Sequence, residues 1–462
     1  MENNKDKLFV GGDISGIQNF IYNITSRKAA VSLKGRSAWL NNYMKEVCDK
    51  ILAVPEIKSS ALTEKIYCGG GKFYLVVPDT PSIKSEIEKI KRSTVEYLWN
   101  EHYGQLGFNL AIVEYQDEFS KNFDEASKQF AEQKNRKFET LLLEQYDKFF
   151  EVQKVGGKPQ VCAITGIEGA TETIDDDDNK TIVVLKSVAK QIEEGLKKRK
   201  EQHITKNFNE FAKNSYLGIL RMDVDNLGAA FRPPYCKTKE QYRQFSNGLT
   251  DFFEKRLNQI WEDKYRDWTD IIYAGGDDLF IVGRWDIVID FAAEIQNTFT
   301  TDPKLKGCTL SGGMAIVGAK FPISKAAEMA GEAEDASKHI GNGAKNAFTF
   351  LGVTVSWKDE FDYTKKYMKQ FVDLCENDNM PRSIMHKLMT LNAMRKEGEL
   401  RYVWNTAYFL KRFADGKTKA VQDFCKALQT ELLDARKFEL IALAARWAEL
   451  KLRKIINNIY TL

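Results

Sequence analysis

One plan is written twice in this chain, and few folds accommodate it. An apolar run over residues 8–14 carries Asp13 near its end, and Ile66-Tyr67-Cys68, Gly69-Gly70-Gly71-Lys72 and residues 73–77 then read as a β-hairpin. The later half repeats this. The run Tyr216-Leu217-Gly218-Ile219-Leu220-Arg221-Met222 leads into Asp223, and residues 271–283 form a second hairpin with Gly275-Gly276-Asp277-Asp278 at its bend. Asp13 precedes Gly70 by 57 residues and Asp223 precedes Gly276 by 53. After the first hairpin the periodicity predicts a helix over 82–101, a strand over 108–113 and a charged helix over 119–139. After the second it predicts a helix over 287–298, a strand over 308–317 and a helix over 323–339, with a further helix over 239–262 before that hairpin. Such a repeat signals two copies of one folding unit.

The copies differ in chemistry. In the second, Asp223 and Asp225 are two apart on a strand and are expected on the same side. Adjacent Asp277 and Asp278 between apolar strands repel each other unless a cation neutralises them. If the strands are neighbours, up to four carboxylates converge, a set of hard oxygen ligands suited to Mg²⁺ or Mn²⁺. Two such ions about 3.5–4 Å apart form the nucleotidyl-transfer site of polymerases. Gly275 and Gly276 let a phosphate approach backbone with no Cβ in the way. The plainer reading is an ordinary Gly-Asp hairpin turn. In the first copy Asp13 and Ser15 replace the two aspartates, and Gly69–Lys72 replaces the acidic bend. One carboxylate does not hold two divalent ions, so this copy is expected to bind a nucleotide without catalysis. Lys72 serves either triphosphate oxygens or an exposed turn. A P-loop is excluded because no Ser or Thr follows Lys72 and a strand comes next.

The strand–hairpin order with Gly-Gly-Asp-Asp resembles the palm of GGDEF-type nucleotide cyclases and, more closely, the large polymerase-like subunit of type III CRISPR effector complexes. Gly12-Asp13-Ile14-Ser15-Gly16-Ile17-Gln18-Asn19-Phe20-Ile21-Tyr22 and Leu33-Lys34-Gly35-Arg36-Ser37 look like the first-palm signature of its Csm-type branch. The resemblance implies an α+β fold, with two ferredoxin-like palm domains in tandem and a C-terminal helical domain. The expected division is 1–145 for the first palm, 146–207 for a linker or insert, 208–357 for the second palm and 358–462 for the helical domain. It also implies conversion of ATP to cyclic oligoadenylate messengers, beside other effector subunits, guide RNA and target RNA. Asp277 and Asp278 are the expected catalytic residues, with Asp223, Asp225 and Asp277 as metal ligands. Nucleotide contacts are expected from Ser15, Gly16, Gly70, Gly71 and Lys72 in the first palm. In the second they fall to Val224, Asn226, Leu227, Gly228, Gly275, Gly276 and Ser311. Of the family's Ala-Lys…Gly-Lys-Asn segment, Lys345 and Asn346 match best and Lys338 second. Small residues at Ser311-Gly312-Gly313 make room for a base or ribose, or serve close strand–helix packing.

Other features bound these expectations. The 462 residues carry 68 basic and 65 acidic side chains, a net charge of +3, so no overall field demands nucleic acid. Seven scattered cysteines without a Cys-x-x-Cys fit a reducing cytoplasm, and no zinc is expected, although the resembled subunits commonly carry a zinc ribbon near 146–207. The polar start Met1–Lys7 leads into a strand and is not expected to act as a signal peptide, and no apolar run approaches membrane length. None of the four histidines precedes an Asp, so the family's HD nuclease is not expected. Residues 154–159 and 166–169 read as turns, and Asp175–Asp178 and residues 192–202 as a solvated acidic loop and a solvated charged helix. Phe438, Ile441, Ala445, Ala448 and Leu452 form a core stripe. Arg436, Lys437, Arg446, Lys451, Arg453 and Lys454 read as a solvated face rather than one for RNA. Two other readings stay open: a catalytically quiet RNA- and subunit-binding scaffold, and a stand-alone cyclic-dinucleotide synthase, possibly a homodimer.

Overall fold

A computed structural model describes residues 6–151, 160–212, 215–232, 235–236, 238–305, 307–340 and 345–453. The expected turn at 154–159, the glycine-rich stretch 341–344 and Lys454 lie outside the described residues. The first half contains β1 (Lys7–Ser15), α1 (Ile17–Tyr22), α2 (Ala29–Leu52), the hairpin β2 (Glu64–Gly69) and β3 (Lys72–Pro78), α3 (Pro81–His102), β4 (Gly107–Glu114) and α4 (Phe119–Lys134). Its four antiparallel strands lie in the order β2-β3-β1-β4. A short hairpin, β5 (Glu172–Asp175) and β6 (Thr181–Val184), leads to α5 (Lys186–Glu201).

The second half repeats the order. It comprises β7 (Leu217–Val224), α6 (Lys239–Asp251), β8 (Thr269–Gly275), β9 (Asp278–Arg284), α7 (Trp285–Thr301), β10 (Leu310–Val317) and α8 (Ile323–Ser337), then β11 (Ala347–Phe350) and β12 (Val353–Ser356). Thr238 starts α6 with a reciprocal cap to Gln241, and the helix continues through two π-helical turns to Tyr265. The sheet runs β12-β11-β10-β7-β9-β8, so β8-β9-β7-β10 reproduces β2-β3-β1-β4 and two short strands extend one edge. That is two ferredoxin-like palms in tandem. A helical C-terminal region follows: α9 (Asp362–Asn377), α10 (Ser383–Lys396), α11 (Tyr402–Ala414), α12 (Lys419–Glu431) and α13 (Ala435–Leu452). Phe438, Ile441, Ala445, Ala448 and Leu452 of α13 are all buried. Among the described residues no helix is long and apolar enough to cross a membrane.

Strand alternation decides how the halves interlock. Leu8 and Val10 of β1 join one core with Leu75, Val77 and Leu110, while Phe9, Val76 and Val113 face Phe119 and Phe130 of α4. Tyr242 of α6 enters that second cluster, its ring stacked 5.0 Å from Phe123 at 5°. The exchange is mutual: Tyr22, at the end of α1, lies 4.6 Å from the Phe280 ring of β9. Each half thus lends an aromatic side chain to the other's sheet.

Two expectations change. The charged segment 192–202 is not merely a solvated face. Arg199 is 4% exposed and pairs with Asp270 of β8 at 2.7 Å, and Lys34 of α2 reaches the other Asp270 oxygen at 3.3 Å. Gly195 and Gly35 bring α5 and α2 into backbone contact, since a Cβ on Gly35 would lie 1.7 Å from the Gln191 carbonyl oxygen. The acidic run is the tip of the β5–β6 hairpin, but Asp176 is buried there because it accepts the N–H groups of Asp178 and Lys180, each at 2.9 Å. Of the two readings left open for Ser311-Gly312-Gly313, close strand–helix packing holds at Gly313, where a Cβ would lie 2.0 Å from the Glu334 nitrogen; α8 packs directly on β10.

Candidate active site

Backbone register builds the site. Asp223 on β7 lies opposite Asp278 on β9 and opposite Ser311 on β10, so all three share one face of the sheet. Arg221, two residues earlier, shares that face. The bend is held where the Val224 N–H donates to the Asp277 carbonyl at 2.9 Å. Over this face crosses α8, whose end delivers Lys338. The Lys338 ammonium donates to Asp223 Oδ2 at 2.8 Å and to Glu334 Oε1 at 2.6 Å. The other Glu334 oxygen meets Arg221 Nε at 3.1 Å, and Arg221 stacks over the Tyr22 ring at 5.6 Å.

Electrostatics follow from crowding. Burial, with Asp277 and Glu334 adding repulsion, raises the Asp223 carboxyl to about 6 despite the opposing Lys338. Burial, then Glu334, then Asp223 and Asp277, push Asp278 well above the carboxylate range against the pull of Arg221. Asp278 Oδ1 is buried without a hydrogen-bond partner among the described residues. Lys338 is held upward by Asp223 and Glu334, which outweigh the lowering effect of its burial.

The expected residues separate into two places. Asp223, Asp277 and Asp278 come together. Asp225 lies just past the end of β7, and its Oδ2 is bonded to the Thr309 hydroxyl at 2.7 Å and the Asn346 N–H at 3.0 Å. Strand alternation does not carry it into the cluster, because the chain turns at Asn226, whose φ is +53°. Lys338, the second choice for the phosphate lysine, is the one at the aspartates. Lys345 and Asn346 have φ of +53° and +49°, and Asn346 braces Asp225. Ser15 donates to the Gly107 carbonyl at 3.4 Å, and Gly16 turns with φ +87° against Gln105. The Ser311 hydroxyl is buried beside Asp223 without a partner among the described residues.

The two hairpin bends meet. A Cβ on Gly70 would stand 2.8 Å from Gly276 Cα, and Gly70, Gly71 and Gly276 all have positive φ. Beside this contact a cavity of 210 Å³ is lined from both halves, including Tyr67, Lys72, Leu227, Gly228, Gly276 and Asp277. A Cβ on Gly228 would meet nothing within 4 Å. The first half mirrors the second position by position. Asp13 lies opposite Lys72 and Asn109, the Ile14 N–H donates to the Gly71 carbonyl at 2.9 Å, and Lys134 at the end of α4 reaches Asp13 at 2.8 Å.

Sequence reasoning missed Arg221, Glu334 and Tyr22. A signal existed for two: Arg221 is the one basic residue inside an otherwise largely apolar strand, and Glu334 stands four residues before Lys338 on one helix face. Among the described residues no group of three or more His, Cys, Asp or Glu is arranged as a metal site. The orphaned, buried Asp278 oxygen beside a second raised carboxyl nonetheless fits a divalent cation, which supplies the missing partner charge.

Comparison with known proteins agrees with this architecture. Residues 216–349 match the family described as Cas10/Cmr2, second palm domain, and residues 7–154 match the Csm1 subunit domain B. A CRISPR system single-strand-specific deoxyribonuclease Cas10/Csm1 (subtype III-A) from Mycobacterium tuberculosis is 25% identical over 92% of this chain and 64% of its own length. The protein of the same description from Streptococcus thermophilus is 26% identical over 90% of this chain and 63% of its own. The chain thus spans under two thirds of the length of these relatives. In structure it matches the Csm1–Csm4 cassette in complex with cA4, with TM-score 0.69, 18% identity and coverage of 97% of this chain and 70% of that one. It matches the cassette in complex with pppApA with TM-score 0.70 and 19% identity, again over 97% of this chain and 70% of that one. With both palm regions matched, the chain belongs to the Csm-type Cas10 family.

Proposed function

We propose that this chain is a nucleotidyltransferase that joins and cyclises ATP into oligoadenylates, as the signalling subunit of an RNA-guided type III CRISPR complex. The observation that carries this reading is the opposition of Asp223 and Asp278, with Asp277 at the bend, against the glycine bend of the other palm. Relatives described as Cas10/Csm1, and cassettes crystallised with cA4 and with pppApA, support the choice of substrate and product.

Asp223, Asp277 and Asp278 would hold Mg²⁺ or Mn²⁺. Divalent cations bound there supply a lowered pKa for a ribose 3′-hydroxyl and charge stabilisation at the α-phosphate and departing pyrophosphate. The chain's own groups do the rest. Gly275 and Gly276 leave backbone open to phosphate, and Lys72 faces the shared cavity from the palm that lacks the second carboxylate. Lys338 holds Asp223 in place before substrate arrives. The apposed bends set two nucleotides side by side, one offering its 3′-oxygen and the other its α-phosphorus. Each joining forms one P–O bond and releases pyrophosphate.

The test is incubation with ATP and Mn²⁺, with and without guide and target RNA, and mass spectrometry of the products. Rings of three or more adenylates that depend on target RNA are expected. Asp277→Ala with Asp278→Ala should lower turnover by more than the ~10–100-fold typical of losing a supporting residue around a metal. Full turnover in that variant refutes the assignment. A dinucleotide ring made without RNA indicates the stand-alone synthase instead.

A further inference from the structure

The two halves solve one geometrical problem differently, and the difference isolates a single side chain. In both, a lysine at the end of the helix after the fourth strand reaches the central aspartate at 2.8 Å: Lys134 to Asp13 and Lys338 to Asp223. Four residues before the lysine and two before the aspartate, the first half has Phe130 and Gly11. These pack together, since a Cβ on Gly11 would lie 2.9 Å from the Phe130 ring. The second half has Glu334 and Arg221 at those places, joined at 3.1 Å with side chains 5% and 9% exposed. The remaining Glu334 oxygen takes Lys338 at 2.6 Å. One carboxylate therefore lies against both cations of the cluster, bonded to Lys338 and ion-paired with Arg221; Glu334 Oε2 and Arg221 Nε, like Asp278 Oδ1, have no hydrogen-bond partner among the described residues.

We propose that Glu334 is a positioning residue: by sharing Lys338 with Asp223 and Arg221 with Asp278, it leaves both aspartates under-neutralised, and so open to a divalent cation. The inference rests on the reading of those aspartates as cation ligands. Without Glu334, Arg221 is free to pair with Asp278 and Lys338 with Asp223 alone, two ion pairs that leave a metal little to bind. The half without the acidic bend needs no such residue and has phenylalanine in its place.

The experiment is Mn²⁺ binding to the nucleotide-free protein, read by electron paramagnetic resonance. Glu334→Gln should weaken Mn²⁺ by about tenfold or more. At saturating Mn²⁺ its kcat should fall by less than its affinity does. Arg221→Gly with Glu334→Phe, which copies the packing of the first half, should weaken Mn²⁺ similarly. Lys338→Met removes a competing cation from a partly exposed position and should tighten it. Wild-type affinity in Glu334→Gln or in the copied pair, or unchanged or weaker binding in Lys338→Met, overturns the proposal. If wild-type protein shows no Mn²⁺ binding that Asp277→Ala/Asp278→Ala abolishes, the ligand reading itself falls and takes this inference with it.

Discussion

At the scale of single residues, the second palm stores charge that its surroundings do not balance. Asp223 is raised to about 6 and burial with neighbouring carboxylates raises Asp278 as well, so protons compete with any cation for the same oxygens. Because the shift is upward, the carboxylate form of Asp223 is lost as pH falls through about 6. Stabilisation by Mn²⁺, measured as the rise in thermal midpoint, should therefore be full at pH 8 and much reduced at pH 5.5. His102 illustrates the opposite sign. It is buried against Trp39 at 4.2 Å, Nε2 has no partner among the described residues, and burial with the nearby Arg36 charge lowers it to about 3. The unfolded chain takes up that proton near pH 6.5 and the folded one does not, so stability drains away as pH falls below 6.5. Replacing His102 with Leu should flatten the loss of thermal midpoint between pH 7 and pH 5. The acidic residues were legible because two glycines and two aspartates at one bend have few structural uses. Arg221 and Glu334 were not, because an i, i+4 Glu–Lys pair looks like an ordinary surface pair until the helix is seen to lie on a sheet.

At the scale of elements, the strands and hairpins were legible because apolar alternation with period two, broken by glycine, has one reading. The short β11 and β12 were missed, as four-residue strands carry too few alternations to register. The buried role of α5 was hidden by Lys197, Lys198 and Lys200 around Arg199, which give the segment the composition of a solvated helix. Only contact with Asp270, which is 71 residues away in sequence, separates them. Basic residues of α13 turn out to be largely matched within the fold: Arg436 with Glu360 at 2.6 Å, Lys437 with Glu431 at 2.8 Å, and Arg446 with Glu449 at 2.6 Å. The contact between bends is testable on its own. Gly70→Ala places a Cβ against Gly276 and puts alanine at φ +56°, whereas Gly166→Ala imposes the same backbone strain at φ +73° with nothing within 4 Å. Each should cost about 1–2 kcal/mol for the backbone. Any further loss in Gly70→Ala, seen in chemical denaturation together with lower turnover, measures the collision between palms.

At the scale of the whole molecule, Asp270 is the point where three segments close on one another. It receives Arg199 from α5 and Lys34 from α2 while lying on a strand of the second sheet, and it is fully buried. Asp270→Asn strands two buried cations and should cost about 3–5 kcal/mol, read as a lower denaturant midpoint. The sequence hinted at this only through the Leu33–Ser37 signature, whose lysine serves the second palm's sheet rather than any substrate. The duplicated lysine–aspartate bridge carries a last consequence. Lys134 and Lys338 reach their aspartates at the same distance in two halves whose other chemistry has parted. A bridge made in both copies does not depend on the acidic bend, so the shared strand–helix frame suffices to form it, and the acidic bend with its counter-charges is what sets the second palm apart.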